Sequence, residues 1–181
     1  MTRKEKYRRT ASKNRAYRTR RALRLIRREQ PKNVHEARGL GIGALIEVGH
    51  GAFRMAYRIH GTKLLIKFPV EFRYKDGDVE GGPEVWHDKE GKNHTRMEMK
   101  KIRALQAFPI MRKHIPPVYY FNARDGVFVT KYYPRDGRSI YAIHSLVSEM
   151  IKEFCGVVLG DLSPDNIRSD PYNLIFIDLG Y

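Results

Sequence analysis

From residue 40 onward the chain is written in short apolar runs broken by turn formers. The runs "ALIEV", "FRMAYRIH" and "KLLIKFPV" are rich in β-branched, aromatic and aliphatic residues and are separated by "GHG" and "GT". That pattern predicts three consecutive antiparallel strands joined by tight turns. Residues 71–92 carry many charges and the turn cluster "DGDVEGGPE", and read as a loop. The spacing then becomes helical in "NHTRMEMKKIRALQAF", with Met97, Ile102, Leu105 and Phe108 near one face. Two further strands, "PVYYFN" and "GVFVTKYY", are joined by "ARDG" as a hairpin, and "SIYAIHSLVSEMIKEF" is an amphipathic helix that runs into the apolar "GVVL". A short hairpin, "IRSDPYNLIFID", comes last. Three strands, a helix, two strands, a helix and a hairpin make an α+β layout.

Ahead of residue 40 the texture is different. The segment "SKNRAYRTRRALRLIRREQP" opens with Ser12, a good N-cap, and closes at Pro31, which a helix interior does not tolerate, so a helix of about 18 residues is expected. Its apolar residues Ala16, Tyr17, Ala22, Leu23, Leu25 and Ile26 form a partial stripe among arginines, too thin for a core helix and too organised for a random tail. Such a helix docks on something: anionic nucleic acid, an acidic partner or the protein's own domain, with the helix at 139–154 as the expected seat.

Charge separates this segment from the rest. The whole chain carries a formal +15, but residues 1–38 hold 15 Lys+Arg against 3 Asp+Glu, whereas residues 39–181 hold 20 against 17. The basicity belongs to an appendage on one domain. A single cysteine, Cys155 in "IKEFCGVVL", excludes an internal disulfide framework and reads as a small core residue in a reducing compartment. No run approaches the roughly 20 apolar residues of a membrane span, and the N-terminus lacks the apolar region of a secretory signal. The expectation is a cytoplasmic protein without a membrane partner. The seven histidines have no zinc-ligand spacing.

Four stretches carry residues of phosphoryl-transfer chemistry, in order. "GHGAF" offers Gly49, Gly51 and Phe53 between the first two strands, where glycines let backbone N–H groups approach phosphate oxygens. "LLIKFP" puts Lys67 among aliphatic residues on the third strand, where a buried ammonium needs an anion; an edge-strand lysine is the bland alternative. "GDLSPDN" supplies Asp161 and Asn166, and "IDLG" supplies Asp178. Two carboxylates brought close repel unless a cation lies between them, and hard Mg2+ suits oxygen ligands.

In this order the stretch from about Ala44 to Tyr181 resembles the protein-kinase-like superfamily, and is similar to compact Ser/Thr kinase-like proteins of bacteriophages and bacteria. The resemblance implies a five-stranded antiparallel N-lobe with one helix over residues 39–134, and a minimal C-lobe over residues 135–181 that ends at the DFG-like motif. It implies ATP and Mg2+ as cofactors. Asp161 would orient and deprotonate the acceptor hydroxyl, Asn166 and Asp178 would be metal ligands, and Lys67 would hold the α- and β-phosphates. Glu98, or less favourably Glu90, would pair with Lys67. Gly49, Gly51 and Phe53 would cover the phosphates, and Lys131, Tyr132 and Tyr133 would offer backbone groups to adenine at the hinge. Three positions depart from the pattern: Arg54 replaces the third glycine, Leu65 an alanine beneath adenine, and Leu159 the histidine of the catalytic loop.

A kinase continues past this motif with an activation segment and a helical lobe, so the sequence reads as a fragment or as a minimal kinase whose floor is covered by the N-terminal helix or by a second copy in a homodimer. The expected function is an ATP- and Mg-dependent phosphotransferase acting on a protein acceptor. A non-catalytic, pseudokinase-type binding module is the alternative, as is a nucleic-acid-binding protein working through residues 1–38.

Overall fold

The computed structural model describes residues 2–50, 53–69, 88–135, 144–159, 164–170 and 173–179. The chain is α+β, with a five-stranded antiparallel sheet and helices, and forms two compact units. One unit comprises Met1–Lys92 and Val118–Tyr132, the other Asn93–Pro117 and Tyr133–Tyr181.

The first unit opens with α1 (Arg3–Glu29), which begins well before Ser12. Thr2 is the true N-cap: its hydroxyl accepts from the Glu5 amide at 3.3 Å and the Glu5 carboxylate accepts from the Thr2 amide at 2.6 Å, a closed capping box. Between Thr2 and Ser12 the residues are mostly Arg, Lys and Glu, all good helix formers, so nothing interrupts the helix and Ser12 lies inside it. Gln30, in the left-handed region at φ 48°, ends the helix just before Pro31. A further short helix follows, α2 (Val34–Gly39), in which the Asn33 side chain accepts from the Glu36 amide at 2.9 Å and Glu36 accepts from the Lys32 amide at 2.9 Å.

Strands β1 (Leu45–His50), β2 (Arg54–Ile59), β3 (Leu64–Pro69), β4 (Val118–Asn122) and β5 (Val127–Lys131) form the sheet in the order β1-β2-β3-β5-β4. The β4–β5 turn is fixed by Asn122, whose side-chain Oδ1 accepts from the Arg124 and Asp125 amides at 2.9 and 3.2 Å, and by Gly126 at φ +67°. Strand β3 is central, and all six of its residues are buried. Leu64, Ile66 and Phe68 alternate onto one face, where they join Tyr57, Ile59, Val127 and Val129. Ala22 and Ile26 of α1 complete this cluster with Ala37 and Ile42. The apolar stripe of α1 is thus seated on the sheet rather than on the helix at 139–154, because the sheet offers the larger aliphatic surface. Burying an isoleucine such as Ile26 contributes about 1.5–3 kcal/mol.

Helix α3 (Asp88–Gln106) starts within the stretch expected to be loop, so residues 88–92 are helical; the rest of the expected loop, 71–87, lies outside the described residues. Its inward stripe is Thr95, Glu98, Met99, Ile102 and Leu105, whereas Met97 is 53% exposed. Of the expected set of Met97, Ile102, Leu105 and Phe108, Ile102 and Leu105 are buried and Phe108, just beyond the helix, is half-buried; Met97 is on the outer side, and Met99, two residues on, takes the buried place.

In the second unit a 3-10 turn at Met111–Lys113 follows α3, and α4 (His144–Cys155) precedes a second 3-10 turn at Pro164–Asn166 and the β6 (Ile167–Asp170) and β7 (Asn173–Phe176) hairpin. Helix α4 buries Ile151 but leaves Leu146, Met150 and Phe154 exposed along one side, and Cys155 is half-buried. Residues 139–143 of the expected helix lie outside the described residues. No helix among the described residues is long and apolar enough to cross a membrane.

Candidate functional site

The antiparallel register decides which side chains share the second face of the first unit's sheet. Lys67 stands opposite Ala56 on β2 and opposite Phe128 on β5, and Leu65 stands opposite Arg58 and Thr130. By strand alternation Arg54, Ala56, Arg58, Leu65, Lys67, Phe128 and Thr130 therefore share the face away from the α1 cluster. Lys67 is 5% exposed, and its ammonium lies 5.1 Å from the centre of the Phe128 ring, where the ring quadrupole favours a cation. Because β3 is central, the edge-strand reading of Lys67 does not apply. The Arg58 guanidinium lies over the Tyr132 ring at 5.1 Å. Three cations, Arg54, Arg58 and Lys67, thus stand on one mostly buried face. The sequence carried part of this signal: the alternation of "FRMAYRI" puts Arg54 and Arg58 on one side of the strand, and the register puts that side with Lys67.

The other expected residues of this unit surround that face at its ends. Gly49 is part of β1 and pairs with Ala56 after a bulge at Val48, so β1 runs further than "ALIEV" suggested. A Cβ at Gly49 would meet Ala56 at 3.7 Å, an ordinary contact. Phe53 immediately precedes β2 and approaches the first turn of α3: a Cβ at Gly91 would lie 2.7 Å from the Phe53 carbonyl oxygen and 2.7 Å from Pro69 Cβ. Gly91 therefore permits the helix to start close against both strand ends. Lys131 ends β5, and the Tyr132 amide donates to the Lys63 carbonyl at 2.8 Å, so that amide is engaged within the sheet. Gly51 lies outside the described residues.

The remaining expected residues belong to the second unit. Asn166 ends the 3-10 turn, and its carbonyl accepts from the Ile177 amide at 2.8 Å; with Ile167 paired to Phe176, the hairpin brings Asn166 and Asp178 to the same end. The turn is braced by Arg168, whose guanidinium donates to the Asp165 carbonyl at 2.6 Å and the Ile167 carbonyl at 2.9 Å, and by an Arg135–Asp165 ion pair. His114 ties the hairpin to the segment after α3: its carbonyl accepts from the Phe176 amide at 2.9 Å, and its ring Nδ1 lies 2.8 Å from the Leu174 carbonyl. A carbonyl only accepts, so Nδ1 carries the proton. Glu98 is 2% exposed, and one turn further along α3 the Lys101 ammonium donates to the Leu179 carbonyl at 3.1 Å, next to Asp178. Lys101 was not singled out from sequence; its only signal is its place one turn after Glu98. Tyr133 is buried in this unit, and Asp161 lies outside the described residues.

The structure therefore gathers Lys67, Gly49, Phe53, Lys131 and Tyr132 in one unit and Glu98, Tyr133, Asn166 and Asp178 in the other. The first set presents fixed cations, and the second a carboxylate and an amide on a braced hairpin.

No protein-family model matches this chain, and no curated protein matches it. The chain is similar to a solved structure described as "PpkA-294 apo form". The identity is 18% and the TM-score 0.44, over 74% of this chain and 56% of that one. This chain thus spans little more than half of that structure's length.

Proposed function

We propose that this protein is an ATP- and Mg-dependent phosphotransferase of the protein-kinase-like kind, transferring the γ-phosphoryl group to a Ser or Thr hydroxyl of a protein. The observation that carries the reading is Lys67: a buried ammonium on the central strand, facing away from an apolar core that has no use for it. A buried ammonium stands only in the company of anions or aromatic rings, and the α- and β-phosphates would join the Phe128 ring in that company. Arg54 and Arg58 on the same face add positive charge for the same anion.

The donor set also fits a hard cation. Asn166 and Asp178 offer oxygen ligands from one end of one hairpin, and they would hold Mg2+. When bound, that ion supplies positive charge that offsets the charge of the phosphate oxygens. The chain's own part is to fix the donors: Arg168 and Arg135 brace the turn carrying Asn166, and Lys101 holds the backbone beside Asp178. Asp161 would accept the proton of the acceptor hydroxyl.

The reading is tested by transfer of labelled γ-phosphate from Mg-ATP to a mixed protein acceptor, comparing wild type with Asp178→Ala and Asp161→Ala. Transfer that falls at least about 100-fold in both variants supports it. Transfer that persists unchanged in either removes that residue from the mechanism.

A second reading, a nucleotide-binding module without transfer, is favoured by Leu65. It is a buried, bulky side chain on Lys67's face, where the resemblance implies alanine. Thermal stabilisation by ATP with no transfer to any acceptor would select it.

A further inference from the structure

Helix α1 has two parts. Its 27 residues extend about 40 Å at 1.5 Å per residue. Only the C-terminal part is anchored: Ala22 and Ile26 are buried in the sheet cluster, the Arg18 side chain lies against Gly61, and the Arg27 guanidinium donates to the Tyr119 carbonyl at 2.8 Å. Residues 4–18 are all exposed, including Tyr7 at 67% and Tyr17 at 64%.

At about 100° per residue, Lys6, Arg9, Lys13, Arg20, Arg24 and Arg28 fall within an arc of roughly 100° opposite Ala22 and Ile26. Arg20, Arg24 and Arg28, with Leu23 and Arg27, also line an open groove along the helix. Cations at i and i+4, such as Arg20, Arg24 and Arg28, repel by a few tenths of a kcal/mol per pair. The helix does little to relieve this, for its two acidic residues are at its ends: Glu5 in the capping box and Glu29 paired with Arg28 at 2.5 Å. A linear array of cations on a rigid scaffold, of which Arg28 alone has an acidic partner among the described residues, calls for a linear polyanion.

The chemistry of the outward face selects among polyanions. A protein partner requires an apolar, charge-depleted centre, and a membrane surface requires an apolar face turned towards lipid. Ala22 and Ile26, the fully buried apolar residues of α1, are already spent on the sheet. Four of the six cations are arginines, whose planar forks match phosphate oxygens. From Lys6 to Arg28 the array runs about 33 Å, close to the roughly 34 Å of one turn of a nucleic-acid duplex. We propose that the outward face of α1 is a binding surface for double-helical nucleic acid, held through its phosphates. This assignment is independent of the proposed phosphoryl transfer.

The test uses the full chain and fluorescence anisotropy with 25-base-pair DNA and RNA duplexes of one sequence, and with polyglutamate, over a series of KCl concentrations. Two triple variants of equal net charge are compared: Lys13→Ala/Arg20→Ala/Arg24→Ala on the array, and Lys113→Ala/Arg124→Ala/Lys152→Ala at exposed positions elsewhere. The array variant is expected to bind duplex at least about tenfold more weakly at 0.1 M salt and to flatten the log–log salt slope by about 2–3, at roughly 0.9 per phosphate. The control variant is expected to bind as wild type does. Preference for either duplex supports the proposal and names the polymer. Equal weakening by both triple variants, salt-independent binding, no binding, or polyglutamate binding as tight as duplex would each overturn it. Thermal melting checks the fold of every variant; should the array variant melt early, Arg9→Ala/Lys13→Ala, in the exposed part of the helix, carries the same comparison.

Discussion

The two faces of β3 are made by one six-residue strand and are equally hidden from solvent, yet they have opposite characters. Leu64, Ile66 and Phe68 enter a wholly apolar cluster closed by Ala22 and Ile26 of α1. Leu65 and Lys67 enter a face shared with Arg54, Arg58, Phe128 and Thr130. Burial alone therefore does not separate core from site. What separates them is what the buried positions ask for: the first face is satisfied by dispersion and exclusion of water, whereas the second holds cations that are stable only in company with anions or aromatic rings. Helix α1 makes the distinction possible. Through Ala22 and Ile26 it closes the apolar cluster on one face, while the charged side chains stand on the other.

The comparison is broken most strongly at the apolar face. Ile66→Ala is expected to destabilise the protein by about 2–5 kcal/mol in urea unfolding, with Ile26→Ala in the same range because it lines the same cluster from the helix side. Phosphoryl transfer per folded molecule should be unchanged in both; a loss of transfer without loss of stability would mean that the two faces are not separable. A smaller effect is expected at the close approach of α3 to the strand ends. Gly91→Ala places a Cβ 2.7 Å from the Phe53 carbonyl oxygen, and overpacking of this kind costs about 1–3 kcal/mol, read as a lowered denaturation midpoint.

The smallest effect is a pH dependence of the apolar face. Burial raises the Tyr57 phenol above its usual value, the charge of Glu47 adds to this, and Arg38 opposes it. The folded state thus holds the proton more tightly than the unfolded chain, whose phenol ionises near pH 10. The associated stability is complete below about pH 10 and is lost as pH rises through the folded value. Unfolding measured between pH 9 and 12 should show this loss in wild type and a weaker loss in Tyr57→Phe. Parallel curves would contradict the assignment.

The sheet was largely legible because "KLLIKFPV" and "GVFVTKYY" concentrate strand formers between unmistakable turns. Helix starts were less so. Thr2 and Ser12 are chemically similar caps, and what distinguishes them is Glu5 three residues after Thr2, the second half of a capping box. The same signature, Asn33 with Glu36, caps α2, a helix that the apolar pattern alone does not announce. Within the candidate site, the meeting of Asn166 and Asp178 was readable because a short hairpin joins them. The Lys101 bond to Leu179 links residues 78 apart, and no local pattern announces a contact of that range. The seat of α1 on the sheet was hidden for a related reason: a thin stripe of two buried residues states that a helix docks but not where.

The central claim, that one face of β3 holds the fold and the other performs chemistry, is tested most directly by Lys67→Met. Labelled phosphate transfer from Mg-ATP would be measured on this variant beside Ile66→Ala, with circular dichroism confirming that both are folded at the assay temperature. Transfer is expected to fall about 100- to 1,000-fold in Lys67→Met and to be unchanged per folded molecule in Ile66→Ala. Equal transfer in Lys67→Met and wild type would contradict it.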